Sequence, residues 1–135
     1  MTLTLSSAGN AAIADAIGIL TITDDDATPS VDFNATSSNG AESASSKALT
    51  VDLSAASGLD VTVNYAITGT ATGSGTDFTL ADGTLTISAG DTSGTITIAS
   101  IVNDSSAENN ETVIVTLSSP GNASLGSDDE HTYTI

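Results

Sequence analysis

The residues of this sequence that could do chemistry are carboxylates. Glu42, Asp77, Asp104, Glu108 and Glu111 fall in or beside turn-rich stretches, with Asn103 next to Asp104. A run of three, Asp24, Asp25 and Asp26, stands nearer the N-terminus. Thiolate and imidazole metal sites need Cys or His. The chain has no Cys, and its single His, His131, lies apart in the last apolar segment. The donors on offer are therefore oxygens, which hard cations prefer. Calcium takes roughly six to eight of them, mixing carboxylates, carbonyls and waters at about 2.3–2.6 Å. Magnesium uses the same atoms but demands a tighter octahedron, so flexible loops rich in oxygens suit calcium better. Carboxylates converging from several loops repel one another unless a cation lies between them. Taken singly, each acid also reads as a turn former or a solvated charge.

Charge narrows the partners. Seventeen acids face one base, Lys47, for a formal net charge of −16. Nucleic-acid binding needs a basic patch to neutralise phosphates, and none exists. Anionic membrane surfaces are disfavoured for the same reason. No apolar run is long enough to span a bilayer, and no signal peptide is evident. A piece cut from a secreted protein would not carry the address. The absence of Cys removes disulfides and thiol nucleophiles and fits any redox compartment.

The elements that must position these acids are strands. Val, Ile and Thr dominate the apolar set, and Gly, Asn, Asp and Ser fill the gaps between short runs. Period-two alternation predicts seven strands. Their inward residues are Val31 and Phe33; Leu49, Val51 and Leu53; Val61, Val63, Tyr65 and Ile67; Leu85 and Ile87; Ile96 and Ile98; Val113, Val115 and Leu117; and Tyr133 with Ile135. No segment shows a helical period. Seven short strands with turns about every ten residues predict a two-sheet antiparallel β-sandwich. In a sandwich, loops after the first, third and fifth strands share one pole with the end of the seventh. Glu42, Asp77, Asn103, Asp104, Glu108 and Glu111 all fall there.

The first 26 residues echo the end of the chain. "TLSSAGNAA" from Thr4 is echoed by "TLSSPGNAS" from Thr116. Moving Leu5 onto Leu117 carries Gly9 onto Gly121 and Asn10 onto Asn122. One extra residue then carries Thr21 and Ile22 onto Thr134 and Ile135. Chance reproduces "TLSS" in a Ser/Thr-rich chain more readily than strand, loop and strand in order. The expectation is a tandem repeat, with residues 1–26 as the last two strands of a preceding repeat and 27–135 as a whole one.

Three stretches carry a family resemblance: "GTATGSGTDF", "GTLTISAGDTSGTITI" and "IVNDSSAENNETVIVTLS". They resemble the Calx-β domain, found in sodium–calcium exchangers, integrin beta-4 and large bacterial surface proteins. The resemblance covers about residues 27–135 and implies a seven-stranded immunoglobulin-like sandwich. Calcium-binding members use an acid in the first loop, the Asp before the aromatic, acids of the fifth-strand loop and an Asp run closing the last strand. Glu42, Asp77, Asp104 and Glu108 match the first three. Asn103 stands where strong binders often carry Asp; it keeps an oxygen and removes a charge. Asp24, Asp25 and Asp26 would close the preceding repeat's site, at the junction between repeats.

The resulting expectation is a calcium-binding structural repeat of a long extracellular, bacterial surface or secreted, adhesin-like protein. Cations would stiffen the loops and the junctions between neighbouring repeats. The alternative is a calcium-sensing or protein- or glycan-binding module that uses the same loops. The two similar hairpin segments also raise strand exchange between copies, against packing on their own domain. No phosphate-binding loop, nucleophile elbow or general acid–base pair is present, which argues against an enzyme. His131 reads as an ordinary strand residue. Lys47 reads as a surface lysine rather than an isopeptide partner. Sequons at Asn34, Asn103, Asn110 and Asn122 are expected by chance in such a composition. "GSGTDFTLA" occurs once, too little for a glycine–aspartate calcium repeat.

Overall fold

The computed structural model describes residues 1–105 and 109–135. The seven alternating segments form strands. They are β3 (Ser30–Phe33), β5 (Ser46–Leu53), β6 (Val61–Gly69), β7 (Gly83–Ile87), β8 (Ser93–Ala99), β9 (Thr112–Gly121) and β11 (Glu130–Thr134). Four further strands are β1 (Thr2–Thr4), β2 (Ile17–Ile19), β4 (Ser37–Asn39) and β10 (Ser124–Leu125). One sheet has the order β10-β3-β5-β8 and the other β4-β11-β9-β6-β7. The chain is an all-β sandwich of the immunoglobulin-like type.

Alternation works because each sheet turns one face inward. Leu49, Val51 and Leu53 of β5 meet Val113, Val115 and Leu117 of β9 in one core, joined by Val31, Phe33, Val61, Val63, Ile87, Ile96, Ile98 and Tyr133. The residues between them, such as Thr50, Thr62 and Thr95, are exposed. Phe78 and Ile101, outside the strands, close the core at one end.

The first strand changes sheets. β3 runs antiparallel to β5, whereas β4 runs parallel to β11, with Thr132 opposite Ser37 and Thr134 opposite Asn39. Residues 34–36 make the step between layers. Asn34 donates its N–H to the Thr50 carbonyl in one sheet, and Thr36 accepts from Thr132 in the other, at 3.0 and 2.9 Å. His131 fastens this step. It is 4% exposed, its Nδ1 bonds the Ala35 carbonyl, and its Nε2 lies 2.8 Å from the Ser38 hydroxyl. Its ring also tilts against Phe33 at 5.6 Å. The expectation of an ordinary strand residue therefore misses a clamp.

β1 and β2 form a separate two-stranded antiparallel sheet. Every residue in both strands is exposed.

Candidate metal centre

Four loop systems meet at the pole where β5 begins and β8 ends. Glu42 lies in a turn closed by the Ala44 N–H on the Ala41 carbonyl, at 2.9 Å. Asp77 ends a tight loop after β6. Its N–H donates to the Thr72 carbonyl at 2.9 Å, and its Oδ2 accepts from the Thr72 N–H. Ser74 and Gly75 in that loop take left-handed φ values of 63° and 86°, which a short polar residue and a glycine tolerate. The neighbouring Phe78 is buried and anchors the loop to the core. The Asp77 carbonyl accepts from the Val102 N–H at 2.9 Å, which ties the segment after β8 to the Asp77 loop. Glu111 and Ile135 exchange backbone hydrogen bonds of 3.1 and 2.9 Å, so the entry to β9 and the exit of β11 are clamped together.

These ties place Glu42, Asp77, Asp104 and Glu111 around one cavity, with Thr76, Val102, Asn109 and Ile135 completing its wall. Its volume is about 20 Å³. One water-sized sphere needs roughly 10–15 Å³ on that measure. Glu42, Asp77 and Glu111 are half-buried, and Asp104 is exposed. Among the described residues no Lys, Arg, His or Cys lines the cavity. Four carboxylates and the neutral oxygens of Thr76 and Asn109 share this wall with Val102 and Ile135, and such a donor set suits a hard divalent cation rather than a soft one. The carboxylates are not drawn together as they stand: among the described residues no three His, Cys, Asp or Glu are grouped closely enough to hold a metal ion.

Asn103 lies beside this cavity and lines an adjoining open depression with Glu42, Asn109 and Asn110. Glu108 lies outside the described residues. Thr76 and Asn109 lie outside the set expected from the sequence; the signal for them is adjacency to an acid of that set, Asp77 for Thr76 and Glu108 for Asn109. Asp24 and Asp26 stand elsewhere, in a cleft with Ala56, Gly58, Leu59 and Asn122 at the opposite pole. Asp24 accepts the Asp26 N–H at 3.1 Å, a local turn bond. Gly40 borders the site for a steric reason. A Cβ there would overlap the hydroxyl of buried Tyr133.

A family model, the Calx-beta domain, matches residues 24–135. The chain belongs to the Calx-beta family. Solved structures agree on the fold. The "Apo-form Calx CBD1 domain" superposes with a TM-score of 0.71 at 22% identity, over 81% of this chain and 96% of that one. The "calcium binding domain CBD12 of CALX1.1" gives 0.69 at 22% identity, over 78% of this chain and 44% of that one. CBD12 from CALX1.2 gives 0.69 at 20% identity, over 78% and 42%. This Calx-β chain thus spans less than half the length of the CBD12 chains it matches. Comparison with curated protein sequences finds no match.

Proposed function

We propose that this Calx-β chain is a calcium-binding structural repeat of a long extracellular surface or secreted protein, in which cations stiffen the loops at one pole and the junctions between repeats. The observation that carries this reading is the cavity walled by Glu42, Asp77, Asp104 and Glu111. Bound calcium would supply positive charge that cancels the mutual repulsion of these carboxylates and orders the loops that bear them. Asp77 is held from both sides, through Thr72 and Val102. Glu42 comes from a turn that a backbone hydrogen bond closes, and Glu111 from a strand end paired with Ile135. The chain therefore preorganises Glu42, Asp77 and Glu111 as part of the ligand set. The net charge of −16 supports a setting in which divalent cations are plentiful.

The alternative, a protein- or glycan-binding module, wants exposed aromatic anchors at these loops. Phe33, Phe78 and Tyr133 are buried, and Tyr65 packs against the core. The structural-repeat reading is therefore preferred.

Thermal melting with added calcium tests the site. Binding to the folded state stabilises it by about 2.7 kcal/mol at a hundredfold excess over Kd. The expected result is a melting temperature that climbs with calcium, and a climb abolished by Asp77→Asn combined with Asp104→Asn. An unchanged melting temperature at millimolar calcium would contradict the proposal.

A further inference from the structure

The exposed hairpin at the N-terminus repeats the geometry of a buried one. In β1–β2, Thr2 faces Ile19, Leu3 faces Gly18 and Thr4 faces Ile17. In β9–β11, Ile114 faces Thr132, Val115 faces His131 and Thr116 faces Glu130. The offsets read from the sequence carry each pair onto the other. The flanking bond repeats as well: the Leu5 N–H donates to the Ala16 carbonyl at 2.8 Å, as the Leu117 N–H does to the Asp129 carbonyl at 2.7 Å. So does the loop conformation. Ser7 and Asn10 have φ of 55° and 58°; Ser119 and Asn122 have 48° and 60°. Left-handed φ is uncommon outside glycine. Of six such residues among those described, four form these two matched pairs.

Burial is where the hairpins part. Val113, Val115, Leu117 and Tyr133 are fully buried. Their counterparts Met1, Leu3, Leu5 and Leu20 are 80, 60, 57 and 56% exposed. The edges differ too. β9 is flanked by β6 and β11 by β4, whereas β1 and β2 pair only with each other. A sheet with a bare apolar face and two open edges is shaped to receive both another sheet and flanking strands.

We propose that β1–β2 is the closing hairpin of a second Calx-β sandwich. Its body, of the kind residues 27–112 form, would lie ahead of Met1 on the same polypeptide. Met1, Leu3, Leu5 and Leu20 dock into that body's core. β1 extends its β6-like strand, and β2 takes its β4-like strand. The inference rests on the tandem-repeat part of the function proposed above and is independent of its metal.

The test fuses a copy of residues 27–112 in front of the full chain and follows amide hydrogen exchange in EDTA, so that failure of the calcium site cannot affect it. The Leu5 and Leu20 amides are expected to exchange at least 100-fold more slowly than in the 135-residue chain, in a monomer. Leu3→Asp should abolish that protection while leaving the Leu117 amide protected. Ile17→Glu, which copies Glu130 on the opposite face, should preserve it. Hairpin amides that exchange as fast in the fusion as in the chain alone would overturn the proposal. So would equal damage from Ile17→Glu and Leu3→Asp. Protection found only in a dimer would overturn the assignment to the same polypeptide in favour of exchange between copies.

Discussion

β1–β2 and β9–β11 share their register, their flanking hydrogen bond and two left-handed loop residues, yet one lies open to solvent and the other is buried. The difference separates two levels of folding. Local sequence, through strand alternation and the Ser and Asn of the loop, is enough to set a hairpin's register. Burial is a tertiary matter. Val115 is in the core because β5 and β8 supply an opposing sheet, while Leu3 has none facing it among the described residues. Residues of equal hydrophobicity at equivalent positions should therefore contribute very differently to stability.

The largest expected difference is between Val115→Asp and Leu3→Asp. The first buries an uncompensated charge and should cost more than about 4 kcal/mol, enough to unfold the domain. The second should leave the melting temperature of the 135-residue chain unchanged. Circular dichroism melts of both variants decide it; equal losses would break the comparison.

The loop residues give the next contrast. Asn122 takes a φ of 60° and donates its side-chain N–H to the Asp60 carbonyl at 2.8 Å. Asn122→Ala should cost roughly 1–2 kcal/mol, since a Cβ without a local hydrogen bond resists this conformation. Asn10→Ala meets the same local strain in a hairpin detached from the core, so global denaturant unfolding should not register it. A matching loss at Asn10 would show that the hairpin is part of the cooperative unit.

The smallest effect concerns Tyr133, whose counterpart is Leu20. Burial raises the Tyr133 phenol above its usual pKa of 10.0. The folded state therefore holds the proton more tightly than the unfolded state. That contribution is complete below pH 10 and is lost as pH rises through the folded value. Denaturant midpoints should fall above pH 10, and Tyr133→Phe should flatten the decline. An unaltered alkaline slope in Tyr133→Phe would count against it.

Most of the fold is legible because one face of each of the seven alternating strands turns into the core. Leu49-Val51-Leu53 and Val113-Val115-Leu117 write that burial directly into the sequence. β4 and β10 were not legible. Ser37–Asn39 and Ser124–Leu125 pair in parallel through backbone groups on sheet edges, and polar edge residues carry no alternation signal. The clamp at His131 was half-visible. It stands two residues before Tyr133 and shares its inward face, but its partners Ala35 and Ser38 come from the layer change that the pattern could not reveal. For the metal centre, strand order alone gathers Glu42, Asp77, Asp104 and Glu111 at one pole. Which side chains share the cavity depends on the Thr72–Asp77 and Asp77–Val102 ties, and these are hydrogen bonds without a sequence signature.

Amide chemical-shift mapping during a calcium titration reads out cation binding at that pole residue by residue. Saturable shifts are expected at Glu42, Asp77, Val102, Asp104 and Glu111, with Gly58, Leu59 and Asn122 at the opposite pole unmoved. Shifts confined to Asp24–Asp26, or a linear drift that never saturates, would contradict it.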